Sequence, residues 1–133
     1  MRTEALTPRY VKAVPSSMDE GILYISSYGS AIHKCCCGCG NEVVTPLGPA
    51  QWHITKQGDT VTLRPSVGSW NLPCQSHYHI TNNRIEWLPK FSPAQIAANQ
   101  RSDNAAKHAH YDAKRRVGLW TKLWNWLRKL LGI

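Results

Sequence analysis

The chain is short of acid. Eight Asp and Glu stand against sixteen Lys and Arg, and only six of the acids fall in residues 1–90. Paired carboxylates for acid–base work are therefore scarce where a folded domain is expected. No HExxH helix occurs, and no glycine-rich phosphate loop follows a strand. Carboxylate-run hydrolysis, zincin chemistry and nucleotide chemistry find no support. The N-terminal stretch MRTEALTPRYVKAVPSSMDEG lacks an apolar run of signal-peptide length, so a cytoplasmic, reducing setting is expected, and with it thiols and not disulfides. Internal repeats and low-complexity tracts are missing too. A chain of 133 residues has room for one domain of modest core and a tail.

The basic excess is uneven. Residues 1–90 carry eight basic and six acidic side chains, residues 91–133 eight and two. The positive character thus speaks about the partner of the C-terminal third.

Along the chain, residues 1–19 read as an irregular lead-in broken by Pro8 and Pro15. Residues 20–90 read as a small antiparallel β domain, making the fold class mainly β. GILYISS and AIHK are strands, QWHITKQGDTVTLRP is a hairpin turning at Gln57-Gly58-Asp59, and HYHITNNRIEWL is a second hairpin turning at Asn82-Asn83. Six short strands are expected. From residue 91 to 133 the pattern becomes helical and basic, with Ser92 as N-cap and Pro93 at the first helical position.

What the sequence has in excess is cysteine in one place. AIHKCCCGCGNEVV sets Cys35, Cys36, Cys37 and Cys39 among glycines, and LPCQSHYHI adds Cys74 with His77 at C-x-x-H spacing. A tetrahedral zinc site takes four soft or borderline ligands, commonly as two close pairs from separate loops. Gly38 and Gly40 would let loop amides point at thiolate sulfur. The spacing leaves the subset open. Cys37, Cys39, Cys74 and His77 form the favoured set, Cys36 with Cys39 has zinc-knuckle spacing, and Cys35 is a further candidate. C-x-C…C-x-x-H also bears comparison with a Rieske iron–sulfur centre, but zinc is the simpler reading. His33 and His53 read as packed or surface histidines, His33 near enough to support the cluster. Ser66 and Ser76 are set aside as nucleophiles because no Ser-His-Asp order stands out. Ser76 is better placed to bond a ligand sulfur. No catalytic residue is assigned.

The stretches ILYISSYGSAIHKCCCGCGNEVVTPLGPAQWHI and VTLRPSVGSWNLPCQSHYHITNNRIEW resemble a small bacterial family with the pattern C-x-C-G-C-G, then P-L with a nearby Trp, T-L-x-P-S-[IV] and C-x-S-H-[YF]. The resemblance covers about residues 20–100. Members are often encoded beside bacterial ubiquitin-like conjugation components: E1-like and E2-like enzymes, ubiquitin-like proteins and JAB-type peptidases. The resemblance implies metal binding, with Cys35, Cys37, Cys39, Cys74 and His77 on the family's Cys and His positions. Cys36 falls on a variable position, and His79 where an aromatic is usual. The function it implies is a zinc-binding accessory or adaptor protein of such a conjugation system, with its components as partners. Two rivals are a thiol-dependent E3-like transferase using Cys35 or Cys36, and a nucleic-acid-binding zinc protein using KHAHYDAKRR on phosphates.

Residues 117–133 are patterned as an amphipathic helix. At about 100° per residue, Val117, Leu119, Trp120, Leu123, Trp124, Trp126, Leu127, Leu130, Leu131 and Ile133 fall within an arc of roughly 200°. Thr121, Lys122, Asn125, Arg128 and Lys129 fill the rest. Trp120, Trp124 and Trp126 beside Lys122, Arg128 and Lys129 suit either an anionic membrane surface, peripherally bound, or a protein partner.

Overall fold

The computed structural model describes residues 2–132. Met1 and Ile133, the latter part of the apolar face just described, lie outside the described residues. The chain divides near residue 96 into two compact units.

The first unit holds two four-stranded sheets. In chain order β1 is Thr7–Val11, β2 Ile22–Ser26, β3 Ser30–Lys34 and β4 Glu42–Pro46; then β5 His53–Gln57, β6 Thr60–Gly68, β7 His77–Thr81 and β8 Arg84–Trp87. The sheets run β1-β2-β3-β4 and β5-β6-β7-β8. Every pairing is antiparallel except β1 with β2. Glu4 to Leu6 bridge the sheets: the Leu6 amide donates to the Asn83 carbonyl and the Ile85 amide to the Glu4 carbonyl. The N-terminal segment thus links β8 to β1. Leu47 forms an isolated bridge with Trp52. The outer edge of β4 and, beyond Arg64, the β5-side edge of β6 have no strand partner.

Alternation explains which side chains fill the interior. Ala31 and His33 of β3, Val61 and Leu63 of β6, and Tyr78 and Ile80 of β7 are buried at every second position. Together with Leu6, Leu23, Ile25, Cys35, Cys36, Val67 and Ile85 they form a small core contributed by both sheets. A core this size gains much from an added staple.

Two of the eight strands were not apparent in the sequence. Residues 7–11, expected within an irregular lead-in, form β1. Its mostly exposed pattern and Pro8 are tolerated because it is an edge strand. EVVTP forms β4 on the opposite edge of the same sheet. Both pair with a neighbouring strand of the chain, β1 with β2 and β4 with β3, but neither sequence shows the alternation that marks a strand. The hairpins turn at Gly58-Asp59 and at Asn82-Asn83, where both asparagines take positive φ.

One helix, α1 Pro93–Leu131, follows, where the sequence suggested separate helical segments. Its start is a capping box: the Gln95 amide donates to Ser92 Oγ at 3.2 Å and the Ser92 amide to Gln95 Oε1 at 2.8 Å. No residue of the helix is buried, and no helix among the described residues is long and apolar enough to cross a membrane.

Candidate functional site

The turn from β3 to β4 and the loop from β6 to β7 bring four sulfurs together. Cys35, Cys37, Cys39 and Cys74 lie with all Sγ atoms within 4.8 Å of one another. Cys35 is 3.5 Å from Cys37 and 3.8 Å from Cys74, and Cys39 is 4.0 Å from Cys74. A ZnS₄ tetrahedron with bonds of about 2.3 Å has edges of about 3.8 Å, so this donor set fits zinc. Local backbone makes the turn: Gly38 has φ 89° and Gly40 φ 79°, conformations that a side chain disfavours.

The electrostatics of the thiols divide them. Burial pushes the Cys35 thiol up to about 12 and the Cys36 thiol likewise to about 12. Cys39 is brought down to about 7, first by the Asn41 backbone N–H, with the Asn41 side-chain amide 3.4 Å from its sulfur. Cys74 is subject to burial, which works upward, but the Ser76 hydroxyl and amide prevail and hold it below the ordinary thiol value. Cys39 and Cys74 therefore have the thiolate character that a soft cation seeks.

Cys36 is not in the group. It is fully buried in the core, its amide 3.5 Å from the Tyr78 hydroxyl, and acts as a small hydrophobe. His33 is fully buried too, with Nε2 2.7 Å from the Tyr78 hydroxyl; burial takes its imidazole down to about 4. His53 is exposed.

His77, favoured from the sequence as the fourth ligand, is turned elsewhere, and Cys35 stands in the group in its place. Its Nδ1 lies 2.8 Å from the Pro89 carbonyl oxygen and its Nε2 2.9 Å from Ser66 Oγ. A carbonyl only accepts, so Nδ1 carries the hydrogen, Nε2 of the neutral ring is the acceptor, and the Ser66 hydroxyl donates to it. With His77 outside the sulfur group, the comparison with a Rieske centre loses its histidine.

The fold places this pair with care. The register of β6 against β7 shifts between Leu63 and Val67, an irregularity of the kind that re-aims a side chain, and Ser66 lies inside it. Trp52 Nε1 donates to the Ser66 carbonyl at 3.4 Å. The His77 ring packs against Phe91, centroids 4.5 Å apart, and Trp70, 5.0 Å. Phe91 and Trp70 stack on each other at 4.8 Å. Gly68 has no Cβ where one would come within 2.4 Å of the Trp70 ring, so only glycine lets that ring reach its place. His77 itself is 6 % exposed, and both its ring nitrogens are engaged. A cavity of about 220 Å³ lined by Cys37, Cys74, Ser76 and His77 among others connects the sulfur group to the histidine.

The arrangement can do what a serine and an oriented imidazole do: lower the barrier to hydroxyl attack on a carbonyl. The residue types alone do not point to this pair, for two reasons. The third member is a main-chain carbonyl, which leaves no side-chain signature, and His77 sits at metal-ligand spacing from Cys74. The signal was available in the two motif stretches, since T-L-x-P-S-[IV] holds Ser66 and C-x-S-H-[YF] holds His77.

Residues 10–88 match the family described as bacterial ubiquitination-like system serine protease (BubE). No curated protein and no solved structure matches the chain.

Proposed function

The chain belongs to the BubE family, and we propose that it is a serine peptidase acting on a protein of a bacterial ubiquitination-like system, with Ser66 as nucleophile and His77 as general base. The observation that carries this is the 2.9 Å contact from Ser66 Oγ to His77 Nε2, with Nδ1 fixed by Pro89. As Ser66 Oγ bonds the substrate carbonyl carbon, its proton passes to Nε2. The Nδ1–H bond to Pro89 keeps the ring in line and stabilises the imidazolium that forms. His77 then returns the proton to the leaving amine, and water repeats the cycle on the acyl-serine. A neutral carbonyl stabilises the imidazolium less than a carboxylate would, which suits a processing enzyme more than a rapid digestive one. The accessory role expected from the sequence gives way to this reading.

Zinc is proposed on Cys35, Cys37, Cys39 and Cys74, as a structural ion. Four protein sulfurs leave no open position for a reacting water, and the site ties the β3–β4 turn of one sheet to the β6–β7 loop of the other, three residues before His77. The E3-like thiol reading is disfavoured, because Cys35 and Cys36 are both buried and Cys35 stands in the sulfur group, whereas a reactive thiol is accessible. For the helix we propose a peripheral seat on an anionic membrane surface. Trp120, Trp124 and Trp126 are exposed, Lys122, Arg128 and Lys129 lie on the other arc, and there is no acid after Asp112. That leaves phosphate binding by a nucleic acid as the weaker use of the basic segment.

The test of the peptidase reading is labelling of the intact protein with a fluorophosphonate. An adduct on Ser66 is expected, absent in Ser66→Ala and strongly reduced in His77→Gln. No adduct, or an adduct on another serine in Ser66→Ala, overturns the assignment.

A further inference from the structure

A second feature lies beside Ser66. A cavity of about 300 Å³ is lined on one wall by four successive residues of β4, Glu42 to Thr45, and on the other by Val67, Gly68 and Ser69, directly after the nucleophile. β4 is an edge strand, so every second one of its residues turns an N–H and a C=O away from β3, unpaired. β6 pairs with β5 only through Arg64, so beyond that residue its edge on the β5 side has no strand partner either. The edge strand β4 and the end of β6 after Ser66 therefore line one slot. Ser69 adds an independent sign of a ligand: it is 3 % exposed, its hydroxyl has no hydrogen-bond partner among the described residues, and it lines the slot. A buried hydroxyl left so is costly, and a peptide group in the slot would satisfy it.

We propose that this slot binds the substrate as an added β-strand: an extended peptide that pairs with the free edge of β4 and is led past Ser69 toward Ser66. The proposal rests on the peptidase reading for the fate of that peptide, but not for its binding. Extended chain rises about 3.3 Å per residue, so the four β4 residues offer about 13 Å of edge, enough for three or four substrate residues. The volume is at the lower end for ligand sites, so the residues lodged there have small side chains. Trp52 lines the slot as well and holds the Ser66 carbonyl, which couples occupancy of the slot to the position of the nucleophile's strand.

The experiment separates binding from chemistry. A positional-scanning library of acetylated hexapeptides is titrated against the full-length, zinc-loaded Ser66→Ala chain. The tightest peptide is then resynthesised with one amide at a time N-methylated. Strand addition predicts that affinity falls tenfold or more at alternate amides and little at those between, and that small side chains are selected. Ser69→Ala in the same background should weaken the peptide severalfold without lowering Tm, since it removes an unpartnered hydroxyl; a purely structural Ser69 would lower Tm instead. No binding, a methylation profile without period two, or a Ser69→Ala variant that binds normally overturns the proposal. Cleavage of the same peptide by the wild-type chain is scored separately. Periodic binding without cleavage keeps the slot and removes the peptidase reading; cleavage without periodicity does the reverse.

Discussion

Three tryptophans fall in the β unit and three near the end of α1, and the two groups meet opposite fates. Trp52 donates to the Ser66 carbonyl, Trp70 stacks against Phe91 and His77, and Trp87 packs edge-on to Tyr78, centroids 5.2 Å apart, with the Arg2 guanidinium 4.2 Å from its ring centre. Trp120, Trp124 and Trp126 are 71 %, 62 % and 57 % exposed. In the first unit a large ring is a wall that fixes a reactive group; in the second it is free surface next to positive charge. Side-chain type alone does not distinguish these uses. What does is whether the backbone can supply partners: eight strands give each ring an opposite side, whereas a helix with no buried residue gives none.

If the contrast holds, damage to the two units should differ in kind. The largest effect is expected at the Ser–His pair. Ser66→Ala or His77→Gln should lower peptide hydrolysis by about 10⁴-fold or more, with Tm of Ser66→Ala unchanged and the zinc content of both variants equal to wild type. Metal analysis of His77→Gln is the sharper half of this measurement. Loss of zinc there would restore the sequence-level ligand set of Cys37, Cys39, Cys74 and His77 and break the separation of the two sites.

Next comes the sulfur group. Cys74→Ser, Cys35→Ser or prolonged chelation should release the zinc and lower Tm of the β unit by about 15 °C or more, because a structural ion is coupled to folding and a domain of this size shifts by about 4–8 °C per kcal/mol. Hydrolysis should fall along with it, since Cys74 lies in the loop that leads into His77. Native mass spectrometry and a melting curve read both. A fully stable apo form would show that the core of the two sheets stands alone.

A smaller effect isolates Cys36. Replacement by Ser should leave one zinc bound and cost about 1–3 kcal/mol, the penalty for a buried hydroxyl without a partner, read by urea unfolding. Retained stability with lost zinc would place Cys36 in the ligand set through its knuckle spacing with Cys39.

These expectations differ in how far the sequence foretold them. The hairpins were legible because turn chemistry is local: Gly58-Asp59 and Asn82-Asn83 lie between alternating runs. β1 and β4 were not, because TPRYV and EVVTP each hold a proline and show no apolar–polar alternation, although each pairs with its neighbour in the chain. A clustering of thiols was legible, since four cysteines in five positions have little other use. Which sulfurs meet was not, because Cys35 and Cys36 are adjacent and both buried, and only the course of the turn after β3 brings the Cys35 sulfur to the group and leaves that of Cys36 outside it. The Ser–His pair depends on an irregular register in β6 and on a carbonyl at Pro89, and neither has a residue-type signature.

The smallest effect on the β unit is expected from the helix, and this bears on the contrast most directly. A chain ending at Arg116 should keep the zinc, hydrolyse small peptides as the full chain does and melt within about 2 °C of it, because no residue of the helix is buried and surface changes of this kind are near neutral. What should change is location. The lost residues include three exposed tryptophans and Lys122, Arg128 and Lys129, and such a face gains by placing its rings at the headgroup boundary with its cations on anionic lipid. In flotation with vesicles of phosphatidylglycerol and phosphatidylcholine the full chain should rise with the lipid, less so as salt is added. The shortened chain should stay below, and so should a full chain with Trp120, Trp124 and Trp126 all replaced by Ala. If the full chain does not float and the truncation destabilises the β unit, the helix serves as internal packing, and its tryptophans belong with Trp52, Trp70 and Trp87 after all.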